Sequence, residues 1–289
     1  MNQDSGTQHR TVSSGIGDAR SGARIDTVIF DWAGTLVDFG SLAPTQIFVD
    51  AFASFGVDIT LAQARGPMGL SKRDHIRTLL ADPAIRTQWI ERFSHPASSE
   101  DIDAVYQRFM PMQIEKVAEY SQPISGAVQM LQGLRERGIK IGSCSGYPRQ
   151  VLDVLLPSAA AAGIVPDCVI AGDELAAGGR PGPYMALANV LALGASAVWQ
   201  CIKVDDTVPG IQEGVRAGMW CVGITLSGNE VGYSQAELAL AEAAEIDARV
   251  QHAGERLTQA GAHYVIGTVA ELPAVIQEIE QRLMRGEQP

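Results

Sequence analysis

A series of short apolar runs, each ending on small or acidic residues and followed by a helix-length segment, constrains this chain more than any other feature. Thr27–Phe30 runs into Asp31, Ile139–Gly142 into Ser143-Cys144-Ser145-Gly146, Cys168–Ala171 into Gly172-Asp173, Ile202–Val204 into Asp205-Asp206, and Trp220–Ile224 into Thr225, with His263–Ile266 a weaker sixth. Buried strands spaced by helical segments predict βαβ units and therefore a parallel sheet. Polar residues gathered at the strand exits predict a ligand site at the carboxyl edge of that sheet. The expected fold class is α/β, a Rossmann-like parallel sheet flanked by helices.

One spacing breaks the pattern. About a hundred residues separate Asp31 from Ser143, far more than a single crossover requires. Within them, Gln46–Phe55 carries apolar residues at helical spacing, Ser71–Leu80 follows a Gly-Pro-Met-Gly turn, and Asp101–Tyr120 is a long amphipathic stretch with Val105, Phe109, Met112 and Val117. This predicts an α-helical cap over 43–120 inserted after the first strand, with the catalytic core formed by 25–42 and 121–289. Gln235–Ala260 reads as one or two helices and Leu272–Arg285 as a closing helix. Residues 1–24, rich in Gly, Ser and Arg, read as a disordered tail without the apolar segment of a secretory signal.

The chain has 289 residues and a net charge of −11, which argues against a nucleic-acid partner. An acidic protein that binds a phosphorus anion needs a local cation: a metal, an Arg or a Lys. No apolar run is long enough for a transmembrane helix, so neither membrane nor nucleic acid is expected as partner, and a cytoplasmic location is the default. Cys144, Cys168, Cys201 and Cys221 lie in or beside apolar runs without metal-ligand spacing and are expected to be buried reduced thiols. Only four of the 22 cationic residues are lysines: Lys72, Lys116, Lys140 and Lys203.

Asp31, at the exit of the first strand in Asp31-Trp32-Ala33-Gly34-Thr35, is the candidate nucleophile. A carboxylate that attacks phosphorus forms an aspartyl phosphate and splits one hard step into two. Two anions must then meet, which calls for cations and a metal. Asp205 and Asp206, with Asp31, make a hard-oxygen site suited to Mg2+; the competing reading is an N-cap for the next helix. Ser145-Gly146 at a helix start suits a phosphoryl oxygen, and Tyr147 either lines the pocket or packs. Arg180, between Gly178-Gly179 and Pro181, suits neutralisation of a nucleophile–phosphate pair. Lys72 and His75 share a helix face at i,i+3; an amine with a lowered pKa can form an imine with a carbonyl and His75 can move its protons, while a solvated helix face is the plainer alternative. His9, His95, His252 and His263 read as structural or surface residues.

The stretch 30–35 resembles the nucleophile loop of haloacid-dehalogenase-like phosphotransferases, with Ala33 where their leaving-group acid usually stands. Together with Met68-Gly69-Leu70-Ser71-Lys72-Arg73-Asp74-His75, Ser145-Gly146-Tyr147, Arg180-Pro181 and Asp205-Asp206-Thr207, it is similar to the phosphonoacetaldehyde hydrolase (phosphonatase) family over about 25–285. The resemblance implies hydrolysis of a C–P bond to an aldehyde and phosphate within phosphonate degradation, a homodimer, and Mg2+ held by Asp31, the backbone carbonyl of Ala33 and Asp206. It implies a Schiff base at Lys72, proton transfer by His75, substrate or phosphate binding by Met68, Ser145, Gly146, Tyr147 and Arg180, and supporting positions at Asp205 and Thr207. Gly210 stands where many relatives carry a further acid. The alternatives are a phosphate-monoester phosphatase or mutase of the same superfamily, against which Ala33 argues, and a non-catalytic binding protein.

Overall fold

The computed structural model describes residues 24–289, so the expected tail lies outside the described residues except for exposed Arg24, as does His9. Six strands, β1 (Thr27–Phe30), β2 (Lys140–Cys144), β3 (Cys168–Ile170), β4 (Cys201–Asp205), β5 (Trp220–Ile224) and β6 (Tyr264–Ile266), form one sheet in the order β3-β2-β1-β4-β5-β6. Every pairing is parallel. β1 lies at the centre, between β2 and β4, and all four of its residues are buried. That explains its unbroken apolar run, because a parallel strand with helices on both faces has no polar side. The strand order reverses direction around β1, so the carboxyl ends of β1, β2 and β4 converge on one crevice.

The first five helices lie between β1 and β2: α1 (Ala43–Ala53), α2 (Leu61–Arg65), α3 (Lys72–Ala81), α4 (Pro83–Phe93) and α5 (Ser99–Lys116). No strand falls in this stretch among the described residues. Its core is aromatic: Phe48 of α1 stacks on Phe109 of α5 with ring centroids 4.3 Å apart, and Trp89 of α4 packs against Phe93 at 4.5 Å. Asp101–Tyr120 is not one helix: α5 ends at Lys116 and a 3-10 turn covers Val117–Tyr120. α4 has a clear cap, Asp82 accepting from the amides of Ala84 and Ile85 ahead of Pro83 at its first position.

Seven helices follow in the remainder: α6 (Ala127–Glu136), α7 (Arg149–Ala161), α8 (Tyr184–Leu193), α9 (Val208–Ala217), α10 (Gln235–Leu240), α11 (Ala243–Gln259) and α12 (Leu272–Met284). Gln235–Ala260 therefore holds two helices. Among the described residues no helix is long and apolar enough to cross a membrane. All four cysteines are free; Cys144, Cys201 and Cys221 are buried, whereas Cys168 is only half-buried because it lies on edge strand β3.

Candidate active site

Asp31 leaves β1 with its amide bonded to the Val204 carbonyl at 3.0 Å, which ties the loop after β1 to β4. Trp32 is fully buried and donates its indole N–H to Ser143 Oγ at 3.1 Å, fixing the same loop to β2. Gly34 has φ +79°, and a Cβ there would lie 2.2 Å from Asp206 Oδ2. Glycine is therefore required twice over, by backbone sign and by the close approach of a carboxylate.

β4 supplies Asp205 and Asp206, and the two carboxylates are held differently. Asp205 is enclosed by donors: Thr207 N at 3.0 Å and Thr207 Oγ1 at 2.7 Å on one oxygen, Lys203 Nζ at 2.5 Å and Arg180 Nη2 at 3.2 Å on the other. Burial pushes its carboxyl up, but Arg180, Lys203 and Thr207 more than offset that and hold it below the ordinary range. Asp206 accepts only Asn229 N at 2.7 Å and Thr35 Oγ1 at 3.3 Å. Burial, then the charges of Asp31 and Asp205, push its carboxyl well up.

Arg180 is 3% exposed and joins three carboxylates: Asp31 Oδ1 at 2.7 Å, Asp205 Oδ2 at 3.2 Å and Glu213 Oε2 at 2.9 Å. It also donates to the Cys144 carbonyl at 2.8 Å, so its Nε and Nη2 are both held. Asp31, opposed by Arg180, is nonetheless raised to about 6 by burial. Glu213 and Lys203 complete this cluster and were given no role in the sequence reading. Lys203 carried a usable signal, a lysine inside an otherwise apolar strand. Glu213 carried none, since a glutamate on an amphipathic helix resembles a solvent-facing one.

Asp31, Asp205 and Asp206 offer oxygens that all lie within 4.8 Å of one another, a group that could hold a metal ion. Of the buried carboxylates, Asp31, Asp205 and Glu213 pair with Arg180 or Lys203, whereas Asp206 makes no ion pair among the described residues. A hard divalent cation beside Asp206 would supply the positive partner that its carboxylate lacks. Gly210 is not a vacant acid position: a Cβ there would lie 2.0–2.1 Å from the carboxylate atoms of Asp205, whose side chain fills that space.

The helical insert brings Lys72 to the same crevice. Ser71 caps α3, its hydroxyl accepting from Asp74 N at 3.3 Å, and Lys72 is the first helical residue. It is 3% exposed, and burial lowers its ammonium from 10.5 to about 7, against the pull of Asp31 and Asp38. The Nζ lies 4.9 Å from the Tyr147 ring centre and 5.5 Å from that of Phe48. Lys72 is therefore no part of a solvated helix face. His75, one turn on, is fully buried and stacks on Phe48 at 3.8 Å, with Nε2 2.9 Å from the Ala64 carbonyl and Nδ1 without a partner. Burial and the nearby Lys72 charge keep its imidazole well below the usual value, hence neutral.

Asp31, Ala33, Ser145, Gly146, Tyr147, Arg180 and Thr207 from the sheet edge and Met68 and Lys72 from the insert line one cavity of about 20 Å³. His75, Asp205 and Asp206 are buried outside its lining. Ser145 orients the loop by accepting from Tyr147 N at 3.0 Å. Ser41 and Pro44 also line the cavity, and Asp38 lies just behind them, accepting from the amides of Leu42 and Ala43 at 3.0 Å each. Burial raises the Asp38 carboxyl to about 7. None of these three was singled out from sequence. His263 is structural, its Nδ1 accepting from Cys221 N at 2.9 Å.

The family model for haloacid dehalogenase-like hydrolases matches residues 25–218. A phosphonoacetaldehyde hydrolase of Salmonella paratyphi C (strain RKS4594) is 55% identical over 267 residues, covering 92% of this chain and 99% of that protein. One from Klebsiella pneumoniae is 54% identical over the same shares. Among solved structures, a phosphonoacetaldehyde hydrolase-like protein from Oleispira antarctica superposes with a TM-score of 0.91 at 41% identity, covering 94% of this chain and 99% of that one. A putative β-phosphoglucomutase from Bacteroides vulgatus, at TM-score 0.64 and 17% identity, shares the fold. By sequence along nearly its whole length and by architecture, the chain belongs to the phosphonoacetaldehyde hydrolase family of haloacid dehalogenase-like hydrolases.

Proposed function

We propose that this protein hydrolyses the C–P bond of phosphonoacetaldehyde to acetaldehyde and phosphate. Lys72 attacks the aldehyde as a free amine, and loss of water gives the imine, which is protonated. Asp31 attacks phosphorus. The C–P electron pair then flows into the iminium to give an enamine, in place of a bare carbanion. The enamine takes a proton on carbon, water releases acetaldehyde from Lys72, and a second water releases phosphate from Asp31. Arg180 neutralises the nucleophile and the phosphonate oxygens. Ser145 and Gly146 donate to those oxygens, and Met68 and Tyr147 enclose the two-carbon unit. His75, held neutral with Nδ1 unpartnered, is the proton-transfer group of this reading: it passes a proton on during imine formation without keeping it. Residues 43–120 act as a cap that carries Lys72 to the core.

The observation that carries this reading is Lys72 itself: a buried amine lowered to about 7, lining the cavity that holds Asp31 and Arg180. An ordinary lysine at 10.5 is free amine in about one molecule in three thousand at neutral pH, whereas this one is about half free, a gain of about a thousandfold in nucleophile. Ala33 agrees with it, because a carbon leaving group stabilised by an imine needs no carboxylic acid two residues from the nucleophile. Asp31, the Ala33 carbonyl and Asp206 would hold Mg2+, which when bound supplies charge neutralisation between the carboxylate and the phosphonate. Asp205 and Thr207 support this set by fixing Arg180 and the start of α9. The resemblance also implies a homodimer, which sedimentation reads directly.

The test is turnover of phosphonoacetaldehyde. Acetaldehyde and phosphate are expected in equal amounts, and Lys72→Arg, which keeps charge but loses imine chemistry, is expected to abolish both. Efficient hydrolysis of sugar phosphates without action on the phosphonate would favour the phosphatase alternative and overturn the reading.

A further inference from the structure

We propose that Arg65 is a positioning residue, the latch that seats the helical insert on the sheet edge and so sets Lys72 over Asp31; the catalytic half of this inference rests on the function proposed above. The cavity of about 20 Å³ holds about one water molecule, too little for an aldehyde bearing a phosphonate. The insert must lift to admit substrate and return for Lys72 and Asp31 to share it. The seam it must close is tight: a Cβ at Gly69 would lie 2.3 Å from Thr207 Oγ1, and one at Gly146 2.5 Å from the Leu70 carbonyl oxygen.

Arg65, the last residue of α2, holds that seam with a forked grip. Its Nη1 donates to the Gly40 carbonyl at 2.8 Å and its Nη2 to the Gly232 carbonyl at 2.9 Å. Gly40 lies on the loop after β1 and Gly232 on the loop after β5, so one guanidinium spans two loops of the core. A lysine has no planar fork to match two carbonyls held by separate guanidinium nitrogens. Asn229 answers from the core, its Nδ2 donating to the Arg65 carbonyl at 3.3 Å. The same Asn229 donates its backbone N–H to Asp206 Oδ2 at 2.7 Å. The neighbouring Ala64 carbonyl holds His75 of α3 at 2.9 Å, so α2 is tied to the helix that begins with Lys72. Seating Arg65 thus fixes Lys72 on one side and abuts the support of Asp206 on the other.

The experiment uses the full chain with Arg65→Ala and Arg65→Lys. In the substrate-free proteins, hydrogen exchange of the Met68–Leu70 amides is expected to speed up about tenfold or more, while the amides of β1 and β4 exchange as in wild type. With phosphonoacetaldehyde, kcat/KM of both variants is expected to fall about tenfold or more, and millimolar guanidinium to restore part of the loss in Arg65→Ala but not in Arg65→Lys. Wild-type exchange at Met68–Leu70 together with wild-type turnover would overturn the latch. So would a loss that guanidinium does not restore, accompanied by faster exchange in β1, since Arg65 would then be a general structural residue. If the wild-type protein leaves the phosphonate intact, the functional reading fails, and the exchange arm alone decides on the latch.

Discussion

Replacing Lys72 by Met is expected to destroy turnover and stabilise the fold at neutral pH. Met has nearly the shape of the lysine stem and no charge to bury. In the folded protein the Lys72 ammonium is lowered to about 7 from 10.5, chiefly by desolvation, and the amine is 3% exposed. Each pKa unit is worth about 1.4 kcal/mol, so at pH 7 the buried amine costs the fold about 4–5 kcal/mol relative to a lysine that stays in water. The contacts of Nζ with the Tyr147 and Phe48 rings return about 1–2 kcal/mol of that, leaving an expected gain of about 2–4 kcal/mol for Lys72→Met. The sign with pH follows from proton counting. Between about 7 and 10.5 the unfolded chain keeps a proton that the folded chain has lost, so wild-type stability attributable to this group rises with pH. The advantage of the variant should therefore shrink by about 1.4 kcal/mol per pH unit across that window. Urea unfolding of both proteins at neutral pH and at two more alkaline values measures it. A variant less stable than wild type at pH 7, or an advantage that does not narrow as pH rises, would refute the buried-amine argument.

With saturating metal, kcat/KM on phosphonoacetaldehyde is expected to rise about tenfold per pH unit below the Lys72 value of about 7 and level off above it, as a free amine requires; a limb set near 10 would contradict it. Glu213→Gln weakens a charged contact with Arg180 at 2.9 Å in a fully buried setting while Asp31 and Asp205 still pair that cation, and is expected to lower unfolding free energy by about 1–3 kcal/mol in urea titrations. Gly210→Ala would set a Cβ 2.0–2.1 Å from the Asp205 carboxylate, displacing it from Arg180. A stability loss of about 1–3 kcal/mol together with a fall in kcat is expected, read by unfolding and steady-state kinetics.

The sheet was legible because its strands are buried on both faces and so appear as uninterrupted apolar runs that stop where the chemistry begins. α1 and α5 were legible from apolar spacing, and α3 from the Gly-Pro-Met-Gly turn that precedes it. α4 was not: only Ile85 and Trp89 of its eleven residues are buried, too sparse a stripe to register, although the Asp82-Pro83 cap was available as a start signal. At the site, motif residues announced themselves because they sit on strand exits and turns. The supporting set did not. Glu213 sits on a helix face that turns inward only because Arg180 and Lys203 wait there, and Arg65 acquires meaning only once two distant loops place carbonyls at its fork. Gly210 was legible as an absence, but its cause, the Asp205 carboxylate filling the space, is purely three-dimensional.

The account stands on a covalent bond between Lys72 and the substrate, and reduction in situ tests it most directly. Borohydride added during turnover of phosphonoacetaldehyde should inactivate the enzyme, and peptide mass mapping should find N-ethyl or N-phosphonoethyl lysine at position 72. Full activity after borohydride in the presence of substrate, or an adduct on Lys116, Lys140 or Lys203 with residue 72 unmodified, would contradict it.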